Sequence, residues 1–358
     1  MNRTTALLLA LAGCTPITEP GHDRVGCQTV PTSTGASSSI STSSTSTSST
    51  STSSGSSTST STTTGSTSTG GQSPGLPTPT ALCPAIVDGT ITICPASLAS
   101  CREAVVVNAS ASSGGPLALH WHGTYETPEG LLSWDSAAIA IRQMVEAEDG
   151  LLVLPRADPD AEARPGNPFP WWVVCGAGSP SQCGRHDDFA LADEIVACAL
   201  EQGLVDPTRL TSSGFSAGAI QVSHLLDRVG YLAGVVSWSG GLPPEYQPAT
   251  PPGSTSVLAL HGGPSDVFCD GSGCYDFVGP SEALAIDVAA TGAFSFVCDH
   301  QSGHSTSMGP QGAAFLRDAH ADGHEWSGYP FGYPGTGPDW MLNHYCYAAG
   351  TASPWGSP

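Results

Sequence analysis

The run Gly214-Phe215-Ser216-Ala217-Gly218 sets a serine between two glycines in the Gly-x-Ser-x-Gly spacing. A serine hydroxyl is a weak nucleophile unless it is exposed and placed beside a base. Glycine on both flanks permits the tight strand-to-helix turn that exposes it. A chain with 43 glycines meets this pattern by chance, so the context decides. Arg209–Ser213 reads as a short strand before the motif, and Ala217–Leu226 as a helix after it. Ser216 is therefore the expected nucleophile. One detail fits less well: Leu210-Thr211-Ser212-Ser213 is polar for a buried strand. Its hydroxyls must find partners inside, since each one buried unpaired costs about 1–3 kcal/mol.

Acyl transfer at such a serine needs donors for the oxyanion, an imidazole base and a carboxylate behind the base. His122-Gly123-Thr124 follows the apolar strand Leu117–His120, so the backbone N–H groups of Thr124 and Ala217 are the expected oxyanion pair; the competing reading is a plain turn cornered at Gly123. The strand Ser256–Leu260 runs into His261-Gly262-Gly263, with Asp266 in the loop beyond as the expected acid. Asp270 and Asp276 compete, although Cys269 and Cys274 flank Asp270 and suggest a tied surface loop. His304 follows Gly303 between a strand at Ala293–Val297 and a helix at Pro310–Ala319. That placement sets an imidazole at the C-terminal edge of the sheet, where Ser216 must also lie. His300 is its nearest rival, and His320 and His324 come after the helix. The chemistry requires neither a metal nor an organic cofactor.

Apolar runs alternate with helical stretches from about Ala81 onward. Helices are expected at Ser136–Ala147 and Asp188–Gln202, and strands at Pro116–His120, Gly150–Leu154 and Val235–Trp238. Such alternation predicts an α/β domain with a mainly parallel central sheet covered by helices on both faces. Upstream, residues 32–71 are almost entirely Ser, Thr and Gly, a composition that cannot offset its own ordering entropy. We expect a disordered linker over 14–80 and a catalytic domain over 81–358, with an aromatic C-terminal extension from about residue 320.

The first fourteen residues predict export. Arg3, the apolar run Ala6–Ala12 and the small residue Gly13 have the layout of a signal peptide over 1–13. Leu11-Ala12-Gly13-Cys14 resembles the bacterial lipobox, which makes Cys14 the expected lipidation site and the membrane a partner through that anchor. Twelve cysteines suit an oxidising compartment. Cys175 with Cys183, and Cys269 with Cys274, are spaced to close locally, whereas Cys198 reads equally as a small buried hydrophobe. The ten basic residues are all Arg, and the net charge of −21 leaves no basic surface for nucleic acid.

From Leu117 to about Ala319 the chain resembles the extracellular polyhydroxybutyrate depolymerase and feruloyl or acetylxylan esterase group of α/β-hydrolases. The resemblance rests on His122-Gly123, Asp187-Asp188-Phe189, Val205-Asp206-Pro207-Thr208-Arg209-Leu210 and Gly214–Gly218. It continues through His261-Gly262-Gly263-Pro264-Ser265-Asp266 and Ser302-Gly303-His304. The chain order Ser216, Asp266, His304 is that of α/β-hydrolases. The resemblance implies an extracellular ester or polyester substrate. Three departures bear on which one: Thr124-Tyr125-Glu126 in place of a Gly- and Cys-rich oxyanion loop, Gly218-Ala219 for Gly-Gly, and Ser305-Thr306 for an aromatic residue and Pro. Trp171-Trp172 and the segment Trp326–Trp340 are expected to line a substrate cleft, with packing as the alternative. A serine peptidase of the same fold and an inactive binding scaffold are the competing functions.

Overall fold

The structure is a computed structural model that describes residues 75–162, 169–172, 188–241, 255–270, 273–321 and 346–348. All of them belong to the second of the two units into which the chain divides, Thr69–Pro358. The expected signal peptide, Cys14, the Ser/Thr tract, Cys175, Cys183, His324 and Trp326–Trp340 lie outside the described residues.

Nine strands among the described residues form one sheet: β1 (Gly89–Ile93), β2 (Arg102–Val107), β3 (Gly115–Trp121), β4 (Leu151–Pro155), β5 (Val205–Phe215), β6 (Gly234–Trp238), β7 (Ser256–His261), β10 (Ser295–Asp299) and β11 (Cys346–Ala348). Their spatial order is β1-β2-β4-β3-β5-β6-β7-β10-β11. The six strands from β4 to β10 are parallel, and the β1–β2, β2–β4 and β10–β11 pairs are antiparallel. This is the α/β architecture expected from the sequence. A small hairpin of β8 (Val267–Asp270) and β9 (Gly273–Asp276) stands apart from the sheet.

Side chains on a strand alternate between faces, and the core follows that period of two. Leu117, Leu119 and Trp121 pack on one side with Val235 and Val257, beneath α4 (Asp188–Glu201), α5 (Ala217–Arg228) and α6 (Val278–Ala290). Ala118, Val236 and Leu258 pack on the other, against α2 (Ser136–Ala147) and α7 (Gly309–Asp318). Strands buried on both faces read as unbroken apolar runs, which is why β4 and β7 were recognisable. Two further helices, α1 (Pro128–Trp134) and the single turn α3 (Pro159–Glu162), precede α2 and follow β4.

The polar strand resolves itself. Thr211 donates to the Leu117 carbonyl at 2.8 Å, Ser212 accepts the Trp121 indole N–H at 3.0 Å, and Ser213 lies 2.9 Å from His120 Nδ1. All these partners belong to β3, so the hydroxyls cross-link two central strands.

Four disulfides join described residues: Cys83–Cys198, Cys94–Cys101, Cys269–Cys274 and Cys298–Cys346. The Cys269–Cys274 closure is the one expected. The reading of Cys198 as a free buried thiol is corrected: it is fully buried, but bonded to Cys83, 115 residues away. Next to that bond, the Glu194 carboxylate accepts from the backbone N–H and hydroxyl of Thr80 and from the N–H of Ala81. The segment entering the domain is thereby fixed to α4. Among the described residues, no helix is long and apolar enough to cross a membrane.

Candidate active site

The chain runs from β3 to β4 on one side and later returns to β5 on the other side of β3. Strand order reverses there, and the carboxyl ends of β3 and β5 open side by side. A crevice at such a switch point is the natural ligand site of an open parallel sheet. Residues 122–126 follow β3, and Ser216 follows β5.

Ser216 has φ 54° and ψ −118°, a conformation that L-residues rarely adopt. The turn is held from both sides. The Ser216 N–H donates to the Trp238 carbonyl at 2.9 Å, and its carbonyl accepts the Ile220 N–H at 3.0 Å. Gly218 sits so close to β3 that a Cβ there would lie 2.0 Å from the Trp121 carbonyl oxygen. Only glycine lets α5 start this near the neighbouring strand.

His304 Nε2 lies 3.0 Å from Ser216 Oγ, and its Nδ1 lies 2.8 Å from Asp266 Oδ1. A carboxylate can only accept, so Nδ1 carries the proton and Nε2 is left to receive the serine hydroxyl. Asp266 is fully buried, and its second oxygen accepts the Gly262 N–H at 2.8 Å. The loops that carry acid and base interlock. The Gly303 N–H donates to the Gly262 carbonyl at 3.0 Å, and a Cβ on Gly262 would lie 1.9 Å from the Gly303 oxygen. Beyond His304, the Thr306 carbonyl accepts from Ser136 of α2, and the Ser307 carbonyl accepts the Trp238 indole N–H at 3.1 Å. Such an imidazole can take a proton from Ser216 and return it to a leaving group.

The rivals sit elsewhere. The Nδ1 of His300 accepts the Ser302 N–H at 3.2 Å, so it serves its own loop. Asp276 is exposed and accepts the Val278 N–H at the start of α6.

The loop after β3 is clamped at Gly123. Burial pushes the buried His122 imidazole down to about 4, so it is neutral. Its Nε2 accepts the Ala157 N–H at 3.3 Å, which leaves Nδ1–H to donate to the Gly123 carbonyl at 2.8 Å. The N–H and C=O of a trans peptide unit point in opposite directions. Holding the Gly123 carbonyl on His122 therefore turns the Thr124 N–H to the other side. On the near side of the same residue, the Gly123 N–H donates to the Glu126 carboxylate. Burial, reinforced by the negative charge of Asp135, raises Glu126 to about 7.

The cleft measures about 460 Å³ and contains Ser216 and His304. Thr124 and Glu126 form part of its wall, as do Trp134, Phe215 and Phe268. Trp171 and Trp172 are not among its described lining residues. Trp171 is fully buried, packs edge-on against Trp121 with ring centroids 5.0 Å apart, and donates to the His122 carbonyl at 2.9 Å. The Trp172 indole donates to Asp158 at 2.9 Å, beside the ion pair of Asp158 with Arg102. Trp171 is thus packed in the interior, while Trp172 is half-buried with its indole N–H engaged.

The aromatic residues around the site are ones the sequence did not flag. Phe277 stacks on His304 at 4.6 Å with 20° between planes, and Phe215 meets it at 4.7 Å. Phe277 follows the β8–β9 hairpin and donates its N–H to the Asp266 carbonyl at 3.1 Å. Spacing gives no hint of this contact, because the hairpin loops out between Asp266 and Phe277.

No protein-family model matches the chain, and no curated protein does. Solved structures do. The complex of pOPH with DMSO matches at a TM-score of 0.57 and 18% identity, covering 77% of this chain and 98% of that one. Native pOPH gives 0.53 at 17% identity over 77% and 98%, and native sOPH 0.50 at 18% over 72% and 94%. With the sheet order and the turn at Ser216, these matches show the α/β-hydrolase fold.

Proposed function

We propose that the chain is an exported serine hydrolase that cleaves carboxylic esters through an acyl-enzyme. The observation that carries this reading is the hydrogen-bonded chain Asp266–His304–Ser216 at the floor of an open cleft. His304 takes the Ser216 proton as Oγ attacks the ester carbonyl. The N–H groups of Thr124 and Ala217 receive the oxyanion, and Asp266 holds the tautomer and the charge that forms on the ring. His304 then protonates the leaving alcohol, and water resolves the acyl-enzyme by the same route. The clamp on Gly123 supports Thr124 in this role, and the position of Ala217 as first residue of α5 supports the other donor.

The substrate is an extracellular ester, polyester or ester-decorated polymer. Three features support this: the signal-like start with Cys14 as a lipid anchor, the disulfides, and the open cleft with aromatic walls. In this reading 1–13 is removed, 14–80 is a spacer and 81–358 is the catalytic domain. One structurally similar protein, pOPH, has been solved in a variant complex with pNPB.

The test is labelling with a fluorophosphonate, followed by turnover of short p-nitrophenyl esters, feruloyl, acetyl-xylan and hydroxyalkanoate esters beside chromogenic peptide anilides. Labelling and ester turnover that vanish in Ser216→Ala are expected, with esters favoured by at least about a hundredfold in kcat/KM, roughly 2.7 kcal/mol. Faster cleavage of anilides would make the chain a peptidase. A protein that neither labels nor turns over esters would be a binding scaffold.

A further inference from the structure

Glu126 is the one carboxylate in the described wall of the cleft. Nothing in the reaction requires an acid at that position. It is held in place: the Gly123 N–H donates to one of its oxygens, and no Lys, Arg or His makes an ion pair with it among the described residues. Arg156, which follows β4, is engaged with Glu103 and Glu129. The remaining described wall is hydroxyl-bearing or apolar apart from His304. Above pH about 7, where Glu126 is ionised, a substrate carboxylate entering the cleft therefore meets a negative charge in a half-buried setting, where Coulomb repulsion is several times stronger than in water.

We propose that Glu126 is a specificity-determining residue that turns away acyl groups carrying a negative charge, so the substrates are neutral esters. This rests on the esterase reading above. The same repulsion acts on the product. Water adds to the acyl carbon as the acyl–Oγ bond breaks; one of its protons passes through His304 to Oγ, and the new acid releases the other to solvent, leaving a carboxylate. The new anion then lies in the cleft with Glu126 and is driven out of it.

The experiment compares kcat/KM for p-nitrophenyl butyrate with that for the p-nitrophenyl monoester of glutaric acid, whose far end is a carboxylate. It is run at pH 8.5, where Glu126 is ionised, and at high salt, where the long-range field of a −21 protein is screened. Glu126→Gln keeps an acceptor for the Gly123 N–H and removes only the charge, so the ratio of the two substrates is the readout. The neutral-to-anionic preference should shrink by at least about tenfold in Glu126→Gln, or about 1.4 kcal/mol. It should hold in Glu146→Gln, which removes a charge from the exposed face of α2. An equal preference in wild type and Glu126→Gln overturns the proposal while the esterase reading stands. No turnover of the butyrate by wild type overturns both.

Discussion

Gly218→Ala concentrates the logic of the site in one methyl group. The added Cβ would stand 2.0 Å from the Trp121 carbonyl oxygen and 2.7 Å from that of His122, against about 3.4 Å for ordinary contact. Helix α5 or the end of β3 must then give by more than 1 Å. Neither is free to do so, because α5 starts directly after Ser216 and the end of β3 leads into the Gly123 clamp. Overpacking of this kind costs about 1–3 kcal/mol. The catalytic cost is larger, since about 1 Å of misplacement costs on the order of a hundredfold. The comparison variant is Gly279→Ala in α6, where a Cβ meets nothing within 4 Å. Ester turnover and urea denaturation of both variants decide the matter. Gly218→Ala should lose about a hundredfold or more in kcat/KM while keeping its far-UV circular dichroism, and Gly279→Ala should match wild type. If Gly218→Ala stays within about threefold of wild type, the close approach of α5 to β3 is not what positions Ser216.

Glu126 also marks stability with pH. Its folded value of about 7 lies above the ordinary 4.5, so the fold favours the neutral acid. The cost of folding the anion is absent below pH 4.5, accumulates up to pH 7 and is constant above, reaching about 3 kcal/mol at about 1.4 kcal/mol per unit. Urea denaturation should show Glu126→Gln more stable than wild type at pH 8 and level with it at pH 4. Cys83→Ser opens a covalent loop of 115 residues, worth about 4–5 kcal/mol in the chain-entropy picture, and should lower the denaturation midpoint by much more than substitution of Cys269. Thr211→Val keeps the shape of a fully buried side chain but removes its bond to the Leu117 carbonyl. It should cost about 1 kcal/mol in the same assay and leave ester turnover intact.

What was legible in the sequence follows from how local each signal is. β4, β7 and α2 were found almost to the residue because long apolar runs and a 3.6 period are visible without a partner. The turn at Ser216 was legible because glycine is needed on both sides of it. β1, β2 and α6 were missed. β1 is short and opens with two exposed residues, β2 buries Ala104, Val105 and Val106 in succession, and α6 is apolar without a marked polar face, so none of them gives a clear period. β5 was expected to begin at Arg209, yet it extends back to Val205 through Pro207. In the site, Asp266 and His304 were found by chain order, while Phe277 and Glu126 were not. Phe277 reaches His304 across loops, a contact that spacing does not encode, and Glu126 bonds to Gly123 within its own loop, where no residue pattern marks it. Trp171 was read as a cleft residue because two adjacent indoles look like a binding surface, whereas its side chain is buried and its indole donates to the His122 carbonyl.

The fixing of the entering chain to α4 has a mechanical consequence. A pull on the chain ahead of Cys83 does not travel along the backbone into β1. It crosses the Cys83–Cys198 bond into α4, and everything from residue 84 to 197 is bypassed. That shielded loop contains β1 to β4 and the Gly123 clamp, so the antiparallel edge of the sheet cannot be peeled from this end. From Cys198 the line of force runs through β5 to Ser216. In the parallel sheet β5 lies between β3 and β6, so a load along it acts as shear on two full ladders at once. Should Ser216 carry an acyl group still joined to a solid polymer while the chain is anchored at its N-terminal end, tension between the two would run along that strand, with residues 122–126 outside its path.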